Sequence, residues 1–137
     1  MPEASFQGHT VLIIDRDVGH LLSLTPMLEH WGLQVLAAAD TEEAMETIAE
    51  EPIDLVLMDV NMPDPAACDT IRTIRALEMP NPVGVIAMIT DHQGDGGVTC
   101  RQNGVAELLA KPFTPKQLQE AVARQLSAEA PGSRDPR

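Results

Sequence analysis

The residues of this chain that could do chemistry each close a short apolar run. Asp15, Arg16 and Asp17 follow Val11-Leu12-Ile13-Ile14, and Asp59 follows Ile53-Asp54-Leu55-Val56-Leu57-Met58. Thr90 ends Val83–Ile89, and Lys111 follows Val105–Ala110. Three carboxylates, a hydroxyl and an ammonium brought together suit formation of an acyl phosphate on an aspartate. One carboxylate acts as nucleophile, a divalent cation neutralises phosphoryl oxygens, and the hydroxyl and ammonium hold the remaining ones. Mg²⁺ suits such a place because it takes a few carboxylates and keeps several waters. Singly, each residue has a plainer reading: Asp17 as a helix cap, Thr90 as a turn residue, Lys111 as a solvated cation.

The elements that would position these groups can be read in order. Val11–Ile14 is apolar at every position, the pattern of a strand buried on both faces of a parallel sheet. Val18, Leu21, Leu22, Thr25 and Leu28 recur at helical spacing until Gly32, with Pro26 expected to kink the helix or loosen one backbone bond. Leu33–Ala37 reads as a second strand. A helix from Thr41 to about Glu50 follows, capped by Asp40 or Thr41, with Glu42 and Glu43 at the positive end of its dipole. Ile53–Met58 is a third strand, and a helix runs from about Ala66 to Leu77. Val83–Ile89 and Val105–Ala110 are the fourth and fifth strands, separated by a Gly-rich stretch and a short helix. A last helix spans about Thr114 to Leu126. Five strands alternating with five helical patterns give an α/β doubly wound five-stranded parallel sheet flanked by five helices. In such sheets ligands sit at the carboxyl ends of the strands, near the point where strand order reverses.

Composition bounds the rest. The 137 residues suffice for one domain with a core and are too few for two. The expected organisation is an irregular segment over 1–9, a folded domain over 10–126 and a disordered tail over 127–137. With 2% aromatic residues and no Tyr, the core must be built from aliphatic residues and Met. A net charge of −12 argues against nucleic acid or an anionic membrane as direct partner, since both need basic surfaces. Cys68 and Cys100 stand in no metal or redox spacing and read as free thiols. Neither a membrane span nor a signal-peptide pattern is visible, so a soluble cytoplasmic protein is expected.

The segments VLIIDRD, VLMDVNMP, VIAMIT and NGVAELLAKPF, in this order and at these spacings, resemble the receiver domains of bacterial two-component response regulators. The likeness runs from about Thr10 to Leu126. It implies a flavodoxin-like receiver fold and a phospho-accepting switch in a phosphorelay, not a turnover enzyme beyond phosphoryl acceptance from a donor and slow autodephosphorylation. Asp59 would be the phospho-acceptor. Asp15, Asp59 and the backbone carbonyl of Asn61 would hold Mg²⁺, while Thr90 and Lys111 would bind the phosphoryl group. The donor would be a phosphohistidine on a histidine kinase or histidine phosphotransfer protein. A downstream protein target would be met through the last two helices and the fifth strand, a face that leaves homodimerisation open.

Four positions depart from the family pattern. Arg16 stands where a second metal-binding carboxylate is usual. Pointing inward, it would repel a close unit charge by roughly 4 kcal/mol at an effective dielectric near 20. It could instead swing to solvent, with Asp17 taking part of the metal role, or pair with Asp59 or Asp15 and replace the metal's charge. Asp91 replaces a small residue beside Thr90, where a carboxylate narrows access or points outward. Leu108 stands where many receivers carry an aromatic rotor. Gly94-Asp95-Gly96-Gly97 weakens the start of the helix before the fifth strand, each Gly costing about 1 kcal/mol against Ala. Arg16 and Asp91 therefore define an alternative, a receiver-like module that docks partners without metal-dependent phosphorylation.

Four histidines, His9, His20, His30 and His92, share no ligand spacing, and a phosphotransfer role for His20 on the first helix has little behind it. Trp31 and the methionines Met58, Met62, Met79 and Met88 read as packing residues, and Arg72 and Arg75 as a solvated face.

Overall fold

The computed structural model describes residues 6–59, 66–76, 83–90, 107–111 and 113–129. They form five strands, β1 (Thr10–Ile14), β2 (Gln34–Ala38), β3 (Leu55–Asp59), β4 (Gly84–Thr90) and β5 (Glu107–Lys111). Four helices are described: α1 (Val18–His30), α2 (Thr41–Glu50), α3 (Ala66–Ala76) and α4 (Pro115–Glu129). The strands are parallel in the order β2-β1-β3-β4-β5, so strand order reverses between β1 and β3. The helix expected between β4 and β5, with its glycine run, lies outside the described residues.

Alternation along the buried strands divides the core in two. Val11, Ile13, Leu55, Leu57, Ile86 and Met88 face one way and meet Leu24 and Leu28 of α1 and Leu118, Val122 and Leu126 of α4. Leu12, Ile14, Val56, Met58, Val85 and Ala87 face the other way and meet Ala44 and Ile48 of α2 and Ile71 and Ile74 of α3. All residues of β1 and β3 are buried, Thr10 and Asp59 included, as the unbroken apolar runs Val11–Ile14 and Leu55–Met58 require. Each fully buried Leu, Ile or Val contributes roughly 1.5–3 kcal/mol against exposure, which is why a core so poor in aromatics suffices.

Several sequence expectations change. Of the apolar set on α1, Leu28 is buried and Leu21 packs against the core, but Val18 and Leu22 are exposed. Leu24 is the buried residue in their place, because only one stripe of this helix meets the sheet. Pro26 lies within a continuous α1, on its exposed side, in keeping with the loosened backbone bond, one of its two expected effects. The segment before β1 is anchored: Phe6 is buried, packs edge-on against Trp31 with ring centroids 6.3 Å apart, and donates its N–H to the Trp31 carbonyl at 2.8 Å. The last helix runs to Glu129, three residues beyond the Leu126 expected from the apolar pattern. Arg75, though exposed, donates to the Val83 carbonyl at 3.0 Å and so holds α3 to the entry of β4.

Gly32 ends α1 with φ +98°, where a Cβ would lie 2.7 Å from Cγ of Gln7 and 3.1 Å from its backbone nitrogen. Both the left-handed backbone and the close approach of the N-terminal segment call for glycine here.

Candidate functional site

The strand register brings the first two carboxylates level. Ile14 pairs with Met58, so Asp15 and Asp59 each stand one residue further, at the carboxyl ends of β1 and β3. Asp15 stays tied to the sheet through its N–H, which donates to the Ala38 carbonyl at 3.0 Å. Asp15 is 1% exposed and Asp59 7%. Buried carboxylates need partners to offset lost hydration. Those of Asp15 are local: Oδ1 accepts the Asp17 N–H at 2.9 Å, and Oδ2 lies 3.0 Å from His20 Nδ1.

The first turn of α1 creates that second contact. Asp17 is the N-cap, accepting the Gly19 N–H at 2.8 Å. With the helix started there, His20 comes back over the end of β1, its Nε2 3.6 Å from Asp17 Oδ2. One ligand atom each from Asp15, His20 and Asp59 lie within 4.8 Å of one another. Two buried carboxylates and an imidazole are donors that fit a divalent cation, whose charge would offset theirs. Asp17 stands behind this cluster as cap and as neighbour of His20.

His20 is the pocket residue that sequence reading missed. Ligand spacing between histidines carried no signal, because its partners are carboxylates five and three residues earlier. The usable signal was its place in the first helical turn after a strand that ends in Asp15.

Arg16 is exposed and makes no ion pair among the described residues, so it takes the outward course of the three considered. Thr90 and Lys111 are register partners at the ends of β4 and β5, and Asp59 pairs with Met88 two residues before Thr90. The side chains of Thr90 and Lys111, and all of Asn61 and Asp91, lie outside the described residues. Leu108 pairs with Ala87 and is half-buried against the core on the α2–α3 side.

Beside Leu108, a groove of about 400 Å³ is lined by Leu108, Leu109, Ala110, Gln117, Glu120 and Arg124. Glu107 braces its edge. Its carboxylate accepts from Arg124 Nε at 3.0 Å, from Arg124 Nη2 at 2.8 Å and from Gln125 Nε2 at 2.8 Å. The Arg124 hydrogen bonds, ahead of all other causes, hold the Glu107 carboxyl below its ordinary value despite partial burial. No helix among the described residues is long and apolar enough to cross a membrane.

Comparison with known proteins agrees with this geometry. Residues 11–123 match the family model described as response regulator receiver domain. The transcriptional regulatory protein ZraR of Klebsiella oxytoca is 31% identical over 131 residues, which cover 92% of this chain and 29% of that protein. The sensor histidine kinase GacS of Pseudomonas protegens is 31% identical over 123 residues, covering 88% of this chain and 13% of that one. The chain thus spans less than a third of the length of either relative. Among solved structures, a putative response regulator from Chloroflexus aurantiacus superposes with a TM-score of 0.81 at 26% identity, covering 87% of this chain and 98% of that one. A response regulator from Thermotoga maritima gives 0.76 at 28% identity, with 87% and 98% covered.

Proposed function

The chain belongs to the response regulator receiver domain family, as a phospho-acceptor module of the two-component type, and within it we propose that Asp59 takes the phosphoryl group. The observation that carries this assignment is the placing of Asp59, buried at the end of β3, beside Asp15 where strand order reverses. A carboxylate oxygen of Asp59 attacks phosphorus of a phosphohistidine, the P–N bond breaks, and the freed imidazole nitrogen takes up a proton. Mg²⁺, held by Asp15, Asp59 and the Asn61 carbonyl, would supply charge neutralisation at the phosphoryl oxygens. Thr90 and Lys111 receive the remaining oxygens, Lys111 as a point charge and Thr90 as a hydrogen-bond donor. The reaction is single acceptance followed by slow hydrolysis, not turnover of a substrate.

The donor is a histidine kinase or histidine phosphotransfer protein. Val18 and Leu22, 64% and 71% exposed and one turn apart on the helix that carries His20, offer it an apolar footing beside the pocket. Similarity to a transcriptional regulatory protein and to a sensor histidine kinase supports this partnership. Output passes by contact with a protein target at the β5–α4 groove, in the cytoplasm and without direct contact to nucleic acid. The folded unit is taken as residues 10–126 with Phe6 as its anchor. The non-phosphorylated alternative rests on Asp91 and on the carboxylate that Arg16 leaves missing, its guanidinium being turned to solvent and not into the pocket.

The test is incubation with acetyl phosphate and Mg²⁺, followed by intact mass measurement. One phosphoryl mass is gained by the protein and none by Asp59→Asn. Uptake that persists in Asp59→Asn would defeat the assignment.

A further inference from the structure

Resting on the reading of this pocket as a metal-assisted acceptor site, we infer that His20 is itself a metal ligand and turns the pocket from Mg²⁺ toward nitrogen-accepting divalent ions. Mn²⁺, Co²⁺, Ni²⁺ and Zn²⁺ are the class meant.

The geometry carries the case in three parts. First, Nδ1 of His20 stands 3.0 Å from Asp15 Oδ2. Neighbouring donors at about 2.1 Å from an octahedral ion are themselves about 3.0 Å apart, so this pair is already spaced to share one ion. Asp59 completes the trio within 4.8 Å. Second, the ring has a carboxylate on its far side, with Asp17 Oδ2 3.6 Å from Nε2. Metal-bound imidazoles commonly carry a carboxylate on their other nitrogen. Asp17, beyond hydrogen-bond length here, lies on the side where it would draw the proton to Nε2 when an ion takes the place of the Nδ1–Asp15 hydrogen bond. Asp17 is held for this by its bond to the Gly19 N–H. Third, the neighbouring position that could add a carboxylate to the set holds Arg16, which is exposed. Imidazole suits later transition ions, whereas Mg²⁺ prefers oxygen donors, so exchanging a carboxylate for an imidazole shifts preference along that series.

The test is titration of the whole chain with Mg²⁺ and with Co²⁺ at neutral pH, in wild type, His20→Gln and Asp17→Asn. Calorimetry gives affinity, and proton NMR of the Co²⁺ form reads contact-shifted imidazole resonances. Expected are such resonances in wild type, their loss in His20→Gln, and a fall in Co²⁺ affinity of about tenfold or more with Mg²⁺ affinity nearly unchanged. Asp17→Asn keeps the helix cap and weakens Co²⁺ by roughly tenfold through the supporting carboxylate. Co²⁺ binding without imidazole resonances, or equal losses for both ions in His20→Gln, would overturn the inference. Phosphoryl uptake at Asp59 is followed in the same samples. If it proceeds with Mg²⁺ while imidazole coordination fails, only the role of His20 falls. If no ion supports uptake, the underlying reading falls with it.

Discussion

Arg124 on α4 grips Glu107 at the start of β5 through two parallel hydrogen bonds of 3.0 and 2.8 Å, tying the last helix to the edge strand. This clamp borders the Leu108–Arg124 groove, and Gln125 adds a third hydrogen bond to the same carboxylate at 2.8 Å.

The clamp predicts a pH dependence of stability. The folded carboxyl of Glu107 lies below its ordinary value of 4.5, mainly through the Arg124 hydrogen bonds. A lowered carboxyl contributes stability that is fully present above the unfolded value and fades as pH falls through the folded one. Urea midpoints of wild type and Arg124→Gln should therefore differ near neutral pH and converge at acid pH. A constant difference across the range would mean that Arg124 acts by packing alone.

Pro26 lies inside α1, where it removes an N–H from the helix ladder. Because its side chain is exposed, Pro26→Ala loses no core contact. Restoring the backbone bond should raise stability by about 1–3 kcal/mol, read as a higher melting temperature.

Gly32→Ala should do the reverse. It places a methyl in the left-handed region and against Gln7, with a cost of about 1–3 kcal/mol. The loss should be accompanied by greater exposure of Trp31, seen as a fluorescence red shift, as the Phe6 segment is pushed away.

Arg16→Asp replaces an exposed side chain without an ion pair among the described residues, so unfolding free energy without metal should move by no more than about 0.5 kcal/mol. Divalent-ion affinity should rise, by about three- to tenfold, because a cation beside Asp15 becomes an anion while solvent screens most of the change. An unchanged affinity would show that the pocket does not sense this position.

Leu28 is fully buried where α1 meets the sheet. Leu28→Ala should cost about 2–5 kcal/mol in chemical denaturation.

Much of this protein was legible in the order of its residues. The unbroken apolar runs at Val11–Ile14 and Leu55–Met58 can be satisfied only by strands covered on both faces, and that requirement leads to a parallel sheet with helices above and below. The meeting of Asp15 and Asp59 at the carboxyl ends of adjacent strands follows from it. The helix over Thr41–Glu50 was equally plain, since Asp40, Glu42 and Glu43 mark its start chemically: Asp40 Oδ1 accepts the Glu43 N–H at 2.9 Å.

Tertiary structure decided what depends on rotation and reach. Periodicity marks an apolar stripe on α1 but does not tell which edge of it meets the sheet, and only docking buries Leu24 and leaves Val18 and Leu22 outside. Phe6 is a lone apolar residue in a polar segment, and its value appears only once Trp31 is brought beside it. The direction taken by Arg16 could not be read, because a guanidinium on a flexible stem suits a buried carboxylate and solvent alike. His20 joined the pocket for the same kind of reason: the angle at which α1 leaves β1, set by packing rather than by residue type, carries its imidazole to Asp15.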